Sequence, residues 1–372
     1  MNRRLFSAGL LGLFGGSACA ETAAPPATGL IGEVLARTGA PALAGAVVAR
    51  EGVVWLQAGG VRREGSPEPV TTDDLWHLGS NTKAMTAAVY ARLVESGRAH
   101  WGATVPELFP GLAVDPAWRA TTVEALLSHR AGLSDAGLID GTWLRARHGD
   151  QRPLTEQRAE FAARALGAPP GGTAGAFEYG NANYIVVGAA IERITAAAWE
   201  QAMRTELFAP LGMTTAGFGA PKGDQPWGHA DGLFGTGLGG GARDPAGIAD
   251  NPAALGPAGT AHMALKDHAA FVRLFLNQGG GLLKPETVAR LTRPTLAAEE
   301  PGYALGWGVY NHRDWALGPA LFHEGSNSMW HALAVVGPAR GLAVVTASND
   351  SRRGAAAVRD LAARLIERFA KG

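Results

Sequence analysis

Cysteine is all but missing from this chain, whose 372 residues include a single one, Cys19. A lone cysteine closes no internal disulfide, and with it go cysteine nucleophiles and thiolate metal sites. Lysine is scarce as well, occurring at Lys83, Lys222, Lys266, Lys284 and Lys371, so arginine carries almost all the positive charge. Net charge is lacking, because 33 basic residues are set against 33 acidic ones. Nothing therefore forms an electrostatic footprint for nucleic acid, and no basic run suits an anionic membrane surface. No Gly-x-Ser-x-Gly elbow occurs, which argues against an α/β-hydrolase. The stretch Gly235-Thr236-Gly237-Leu238-Gly239-Gly240 formally fits a dinucleotide fingerprint, but no strand precedes it and no helix follows, so it reads as a loop. His323-Glu324 opens like a zinc-protease motif, yet Asn327 stands where the second histidine belongs. Neither metal nor organic cofactor is expected. With 47% hydrophobic and 18% charged residues, the composition is that of an ordinary soluble enzyme.

The N-terminal segment MNRRLFSAGLLGLFGGSACA joins a paired arginine to a short apolar stretch and a small-residue ending, Ala18-Cys19-Ala20. That layout predicts a secretory signal peptide over residues 1–20, cleaved before Glu21, and an exported, periplasmic catalytic unit over 21–372. The apolar stretch is shorter than the roughly 20 residues a membrane span needs, so no stable span is expected in the mature chain. Arg3-Arg4-Leu5-Phe6 also resembles a twin-arginine export signal, with Asn2 and Ser7 as imperfect matches. Lipidation through Cys19 is less favoured, because Gly16 occupies a place where a bulky aliphatic residue is expected.

Periodicity orders the rest. Thr28 to Thr38 reads as a short helix, and PALAGAVVARE and VVWLQAGGV as strands of a hairpin turning at Glu51-Gly52. From Val123 to about Arg204 the pattern is largely helical, clearest in TTVEALLSHRAGL and ANYIVVGAAIERITAAA. Gly217 to Pro257 is rich in glycine and proline and reads as long loops. The helix LKDHAAFVRLFLNQG follows, with Gly279 as its expected stop. Strand patterns return in YALGWGVY, HALAVVGP and GLAVVTASN. The final helix carries a stripe of Val358, Leu361, Leu365, Ile366 and Phe369 that suits packing on the sheet before it. Trp227, Trp307 and Trp330 are read as core residues. Strands, then helices, then strands predict an α+β fold: an antiparallel sheet flanked by N- and C-terminal helices, with a mainly helical lobe inserted.

Three short segments carry chemistry. In LWHLGSNTKAMTAAVYARLVESG, Ser80 lies at a helix N-terminus, beside unpaired N–H groups and the positive end of the macrodipole. Lys83 follows three residues later and rises on the same face. A serine attacks poorly until a base takes its proton, and a lysine serves once burial lowers its pKa. In GAFEYGNANYIVVG, Tyr179 and Asn181 place a phenol and a carboxamide together, and a phenol near an ammonium can relay protons. In LFHEGSNSMWHALAVV, His323-Glu324-Gly325-Ser326 precedes a strand-like alternation. Gly325 would allow close backbone approach at a strand edge, where N–H groups can bind an oxyanion.

In this order and at this spacing the segments resemble the serine β-lactamase and penicillin-binding-protein superfamily. The nearest branch is that of class C β-lactamases, D-alanyl-D-alanine carboxypeptidases and related esterases, with Ser-x-x-Lys, Tyr-x-Asn and Lys-Thr-Gly or His-x-Gly. TTVEALLSHRAGLS, GPAGTAHMALKDHAAFVRLFL and YALGWGVY extend the resemblance over most of the chain from Thr28. It implies that Ser80 is the acyl-accepting nucleophile, with Lys83 and Tyr179 sharing proton transfer in a division left open. It further implies that Asn181 orients substrate and that the N–H groups of Ser80 and Ser326 form the oxyanion hole. The expected partner is a small-molecule or short peptide substrate. One departure bears on specificity. His323 stands where β-lactamases carry lysine, and a histidine of ordinary pKa, about 6.5, is mostly neutral at neutral pH. Glu324 would add negative charge if it faced the cleft. Esters and amides without a carboxylate thereby gain over penicillin-like substrates, with an esterase or D-amino-acid peptidase ahead of a β-lactamase or a silent binding domain.

Overall fold

The computed structural model describes residues 27–230, 241–296 and 299–371, so the signal segment 1–20 and the Gly235–Gly240 stretch lie outside the described residues. The two ends of the chain meet in one seven-stranded sheet. Its strands are β1 (Ala42–Ala49), β2 (Val53–Gly60), β3 (Gly302–Tyr303), β4 (Gly308–Arg313), β5 (Gly318–Ser326), β6 (His331–Gly337) and β7 (Leu342–Ser348). They lie in the order β2-β1-β7-β6-β5-β4-β3. Every pairing is antiparallel. The seam between the chain's ends is β1 on β7, running from Leu43 opposite Ser348 to Ala49 opposite Leu342.

Side chains alternate across this seam with the period of two that a strand imposes. Ala42, Ala44, Ala46 and Val48 of β1 face the main core with Ala343, Val345 and Ala347 of β7. Leu43 and Val47 face the other way with Leu342 and Val344. Both faces are covered, which is why the sequence here is an almost unbroken apolar run. The outer layer is α1 (Gly29–Thr38) and the C-terminal helix Arg352–Phe369. Ile31 and Val34 pack with Val358, Leu361 and Leu365, while Ile366 and Phe369 close the edge. The expected stripe is thus a sheet-packing face. Gly45 lets the helix settle, because a Cβ there would come within 2.8 Å of Leu361.

The inner face carries the inserted lobe, entered through α2 (Thr82–Glu95). Ten successive positions of this helix, Thr82 to Ala91, are buried, as befits a helix enclosed on all sides. α3 (Asn181–Thr195) packs in the same lobe, and α4 (Leu265–Leu276) crosses the sheet, with Phe275 edge-on to the buried Trp307. Trp330 is also fully buried, whereas Trp227 is half-exposed beneath Arg63.

Two local expectations are refined. At the end of α4 the first left-handed residue is Gln278, with φ 48°, and Gly279 follows it, its N–H bonding the Leu274 carbonyl at 2.7 Å. That is a Schellman closure displaced by one residue from the glycine. Within the expected loops, Gly217–Phe218 joins Trp76–His77 and Ala261–Met263 in a small three-stranded sheet. Strands of two or three residues leave no periodic signal to read. Among the described residues no helix is long and apolar enough to cross a membrane.

Candidate active site

Ser80 sits in a tight 3-10 turn, Gly79–Asn81, that runs into α2. The turn presses against the end of β5 through two glycines. A Cβ on Gly79, whose φ is 51°, would lie 2.3 Å from the Ser326 nitrogen. A Cβ on Gly325 would lie 2.1 Å from the Leu78 carbonyl and 2.5 Å from the Ser80 nitrogen. Only glycines allow this backbone-to-backbone approach, which draws the peptide nitrogens of Ser80 and Ser326 together. The close approach expected of Gly325 is therefore first to the chain's own Ser80 turn. His323 to Ser326 also proves to end a strand, β5, while the alternating apolar run after it forms β6.

One helical turn beyond Ser80, Lys83 is fully buried. Its ammonium donates to Ser80 Oγ at 2.9 Å, Asn181 Oδ1 at 2.9 Å and the Ala258 carbonyl at 2.7 Å. Burial, against the opposing pull of Asp135, brings its pKa down to about 7.

Asn181 begins α3, and its orientation is set by a residue that the sequence reading missed. Asp135 Oδ2 accepts from the Asn181 backbone N–H at 3.0 Å and from its side-chain amide at 3.1 Å. Its Oδ1 accepts from the Ala182 N–H at 2.8 Å. This carboxylate satisfies two of the free backbone donors at the start of α3 and turns Asn181 Oδ1 towards Lys83. A hint was present in the loop GLSDAG, but an aspartate in a loop has no signature of its own.

Tyr179 lies in the loop before α3, with the Lys83 Nζ 4.9 Å from its ring centroid. One flank of the ring is open, 44% of the residue being exposed, while its hydroxyl is coupled to Ser80. Burial around that hydroxyl raises the phenol above its ordinary pKa, outweighing the hydrogen bonding to Ser80. His129, another residue missed by sequence, is buried behind it at 4.4 Å between centroids and accepts the Gly180 N–H at 3.3 Å.

His323 projects from β5 into the same cluster, its Nε2 3.2 Å from the Tyr303 hydroxyl. Burial, with Lys83 nearby, pushes its pKa down to about 3, so the imidazole is neutral. Glu324 points to the opposite face of the sheet, where it pairs with His331 and with Arg359 of the C-terminal helix. The negative charge that it would have added to the cleft is directed elsewhere, because neighbours along a strand alternate.

Behind the two glycines lies a further link without a sequence signature. Asp250 receives His77 Nε2 at 2.8 Å and the Asn327 amide at 2.8 Å, through different oxygens. His77 Nδ1 in turn accepts the Gly79 N–H at 3.1 Å. One carboxylate thereby ties the Ser80 turn to the end of β5.

A two-lobed serine hydrolase is the class that this fold and cleft define. The chain belongs to the β-lactamase family, whose description it matches over residues 27–368. It is 27% identical over 302 residues to penicillin-binding protein 4 of Amycolatopsis lactamdurans, covering 77% of this chain and 74% of that one. An unguisins hydrolase of Aspergillus campestris is 26% identical over 301 residues, which is 76% of this chain and 54%, about half, of the relative. Among solved structures, the D-amino acid amidase of Ochrobactrum anthropi SV3 has a TM-score of 0.72 at 20% identity, over 91% of this chain and 97% of its own. A class C β-lactamase from Rhodobacter sphaeroides has a TM-score of 0.70 at 18% identity, covering 91% and 98%. At these identities the structural likeness speaks for the fold.

Proposed function

We propose that the protein hydrolyses an ester or amide whose reacting end bears no carboxylate, through an acyl-enzyme on Ser80. The observation carrying this reading is the fully buried Lys83 beside Ser80 Oγ, with its pKa brought down to about 7. An ammonium has three N–H donors and finds three acceptors here. The neutral amine keeps two of them, to Asn181 and Ala258, and turns its lone pair to the Ser80 hydroxyl. Ser80 Oγ then attacks the substrate carbonyl carbon while its proton passes to Lys83. The carbonyl oxygen takes up negative charge facing the N–H groups of Ser80 and Ser326. Tyr179, whose raised pKa keeps it a neutral phenol, gives its own proton to the departing alcohol or amine as the carbon–heteroatom bond breaks and takes back the one held by Lys83. Water, deprotonated by the same route, attacks the ester carbonyl, releases the acid and returns the proton to Ser80.

Against a β-lactamase stands the neutral His323, which offers no charge to a penicillin carboxylate. The unguisins hydrolase among its relatives supports a hydrolase over a silent binding domain. Export remains part of this reading, supported by the sequence of residues 1–20. The test is intact mass after a short incubation with an activated aryl ester, compared with Ser80→Ala. An acyl adduct and turnover on the wild type alone are expected; equal turnover by Ser80→Ala would sink the assignment. Penicillin should leave far less adduct than the aryl ester.

A further inference from the structure

Beside Tyr179 a cavity of about 300 Å³ opens between the lobes, walled by Phe177, Tyr303 and His323 with Pro301 at its rim. Phe177 packs against Tyr303 at 5.5 Å between centroids, and Tyr303 stands near-perpendicular to His323 at 6.2 Å. Phe177, like Tyr179, leaves 44% of its surface open, so two large aromatic faces await cover at the mouth. A cavity of about 150 Å³ already holds a benzene ring, so this one accommodates an aromatic ring with a short linker.

No lysine or arginine lines the cavity among the described residues. Of the two cations behind its walls, Arg130, 5.7 Å from the Phe177 ring, is paired with Glu299, itself part of the cavity rim, and Lys83, 4.9 Å from the Tyr179 ring, is buried on Ser80, Asn181 and Ala258. A carboxylate entering here would lose its hydration and gain no partner, which is unfavourable. An aromatic or other apolar group loses only its contact with water.

The position decides which part of a substrate enters. Tyr179 forms the wall on the Ser80 side, and it is the residue that hands a proton to the departing group. We propose that this cavity is a leaving-group site for an uncharged aromatic alcohol or amine, released as the neutral product. The assignment rests on the acyl-enzyme reading above, with Tyr179 as proton donor.

Two measurements test it separately from that reading. The first is binding of benzyl alcohol and of 4-(hydroxymethyl)benzoate to the inactive Ser80→Ala protein by saturation-transfer NMR, with Phe177→Ala added as a second change. Benzyl alcohol should bind, about tenfold more tightly than the carboxylate, and removal of the Phe177 ring should weaken it by about tenfold. The second is kcat/KM of the wild type for benzyl acetate, methyl acetate and 4-(acetoxymethyl)benzoate. Benzyl and methyl alcohols leave with similar intrinsic ease, so a preference of about tenfold or more for benzyl acetate reports the cavity. Phe177→Ala should erase that preference, lowering kcat/KM for benzyl acetate about tenfold more than for methyl acetate. Absent binding, or equal binding of alcohol and carboxylate, would overturn the site whether or not acetates are turned over. Ser80-dependent turnover with no benzyl preference would overturn it too, and leave the hydrolase reading standing.

Discussion

A lysine enclosed on all sides costs stability while it holds its proton, and Lys83 is placed where that cost is convertible into reactivity. Its pKa of about 7, set by burial, lies far below the usual lysine value of about 10.4. Below pH 7 the folded protein carries the full penalty of a buried ammonium. Between about 7 and 10 the unfolded chain holds a proton that the folded chain has released, so stability relative to a variant without the amine rises with pH. Lys83→Met should accordingly lower kcat/KM by about 10²–10⁴-fold. Thermal melts from pH 6 to 10 should show the wild type gaining on this variant as pH rises. In the wild type, kcat/KM should fall about tenfold per unit below pH 7, as neutral amine is lost. A flat rate profile from pH 5 to 9 would remove Lys83 from the role of base. That Ser80, Lys83 and Tyr179 belong to one cluster was legible in the sequence because Ser-x-x-Lys and Tyr-x-Asn are local patterns. Asp135 was not, because it meets Asn181 only through the fold, 46 residues away along the chain.

At the scale of elements, the site depends on a turn and a strand end that meet without side chains between them. Gly79 and Gly325 permit the contact, and both could be seen in the motifs they belong to. What holds the contact in register is Asp250, 173 residues from His77 and in a segment whose glycine and proline content hides any pattern. Its two oxygens accept from two different donors, His77 just before the Ser80 turn and Asn327 just after Ser326. Asp250→Asn keeps the shape but replaces one acceptor with a donor, so it can no longer serve both His77 and Asn327. Misplacing a preorganised N–H by a fraction of an ångström weakens transition-state stabilisation more than ground-state binding. The variant should lose about 10- to 100-fold in kcat, with KM little changed and the Lys83-governed pH profile kept. Unaltered kcat in a folded Asp250→Asn protein would show that the tie has no catalytic consequence.

For the whole molecule, the sequence order of strands, helices and strands carried the architecture, since the shared sheet is what lets both termini lie on one lobe. The apolar run of β1 and the helical stripe of the C-terminal helix were readable because the strand is buried on both faces and the helix on one. The pairing of β1 with β7 was not readable strand by strand, since antiparallel register comes from contacts between distant segments. That seam makes a strong demand on the last helix, although every residue of the proposed chemistry precedes it. Removing residues 352–372 would uncover Leu43, Val47 and Val344 on the sheet and take away Val358, Leu361 and Leu365. At about 1.5–3 kcal/mol for each buried aliphatic side chain, the loss is on the order of 10 kcal/mol. A typical domain is stable by only about 5–15 kcal/mol in total. The truncated chain should therefore show no cooperative thermal transition and no hydrolysis, although Ser80, Lys83 and Tyr179 are all retained. A soluble truncation that still melts cooperatively and turns over ester would mean that the seam between β1 and β7 is stable without its helical cover.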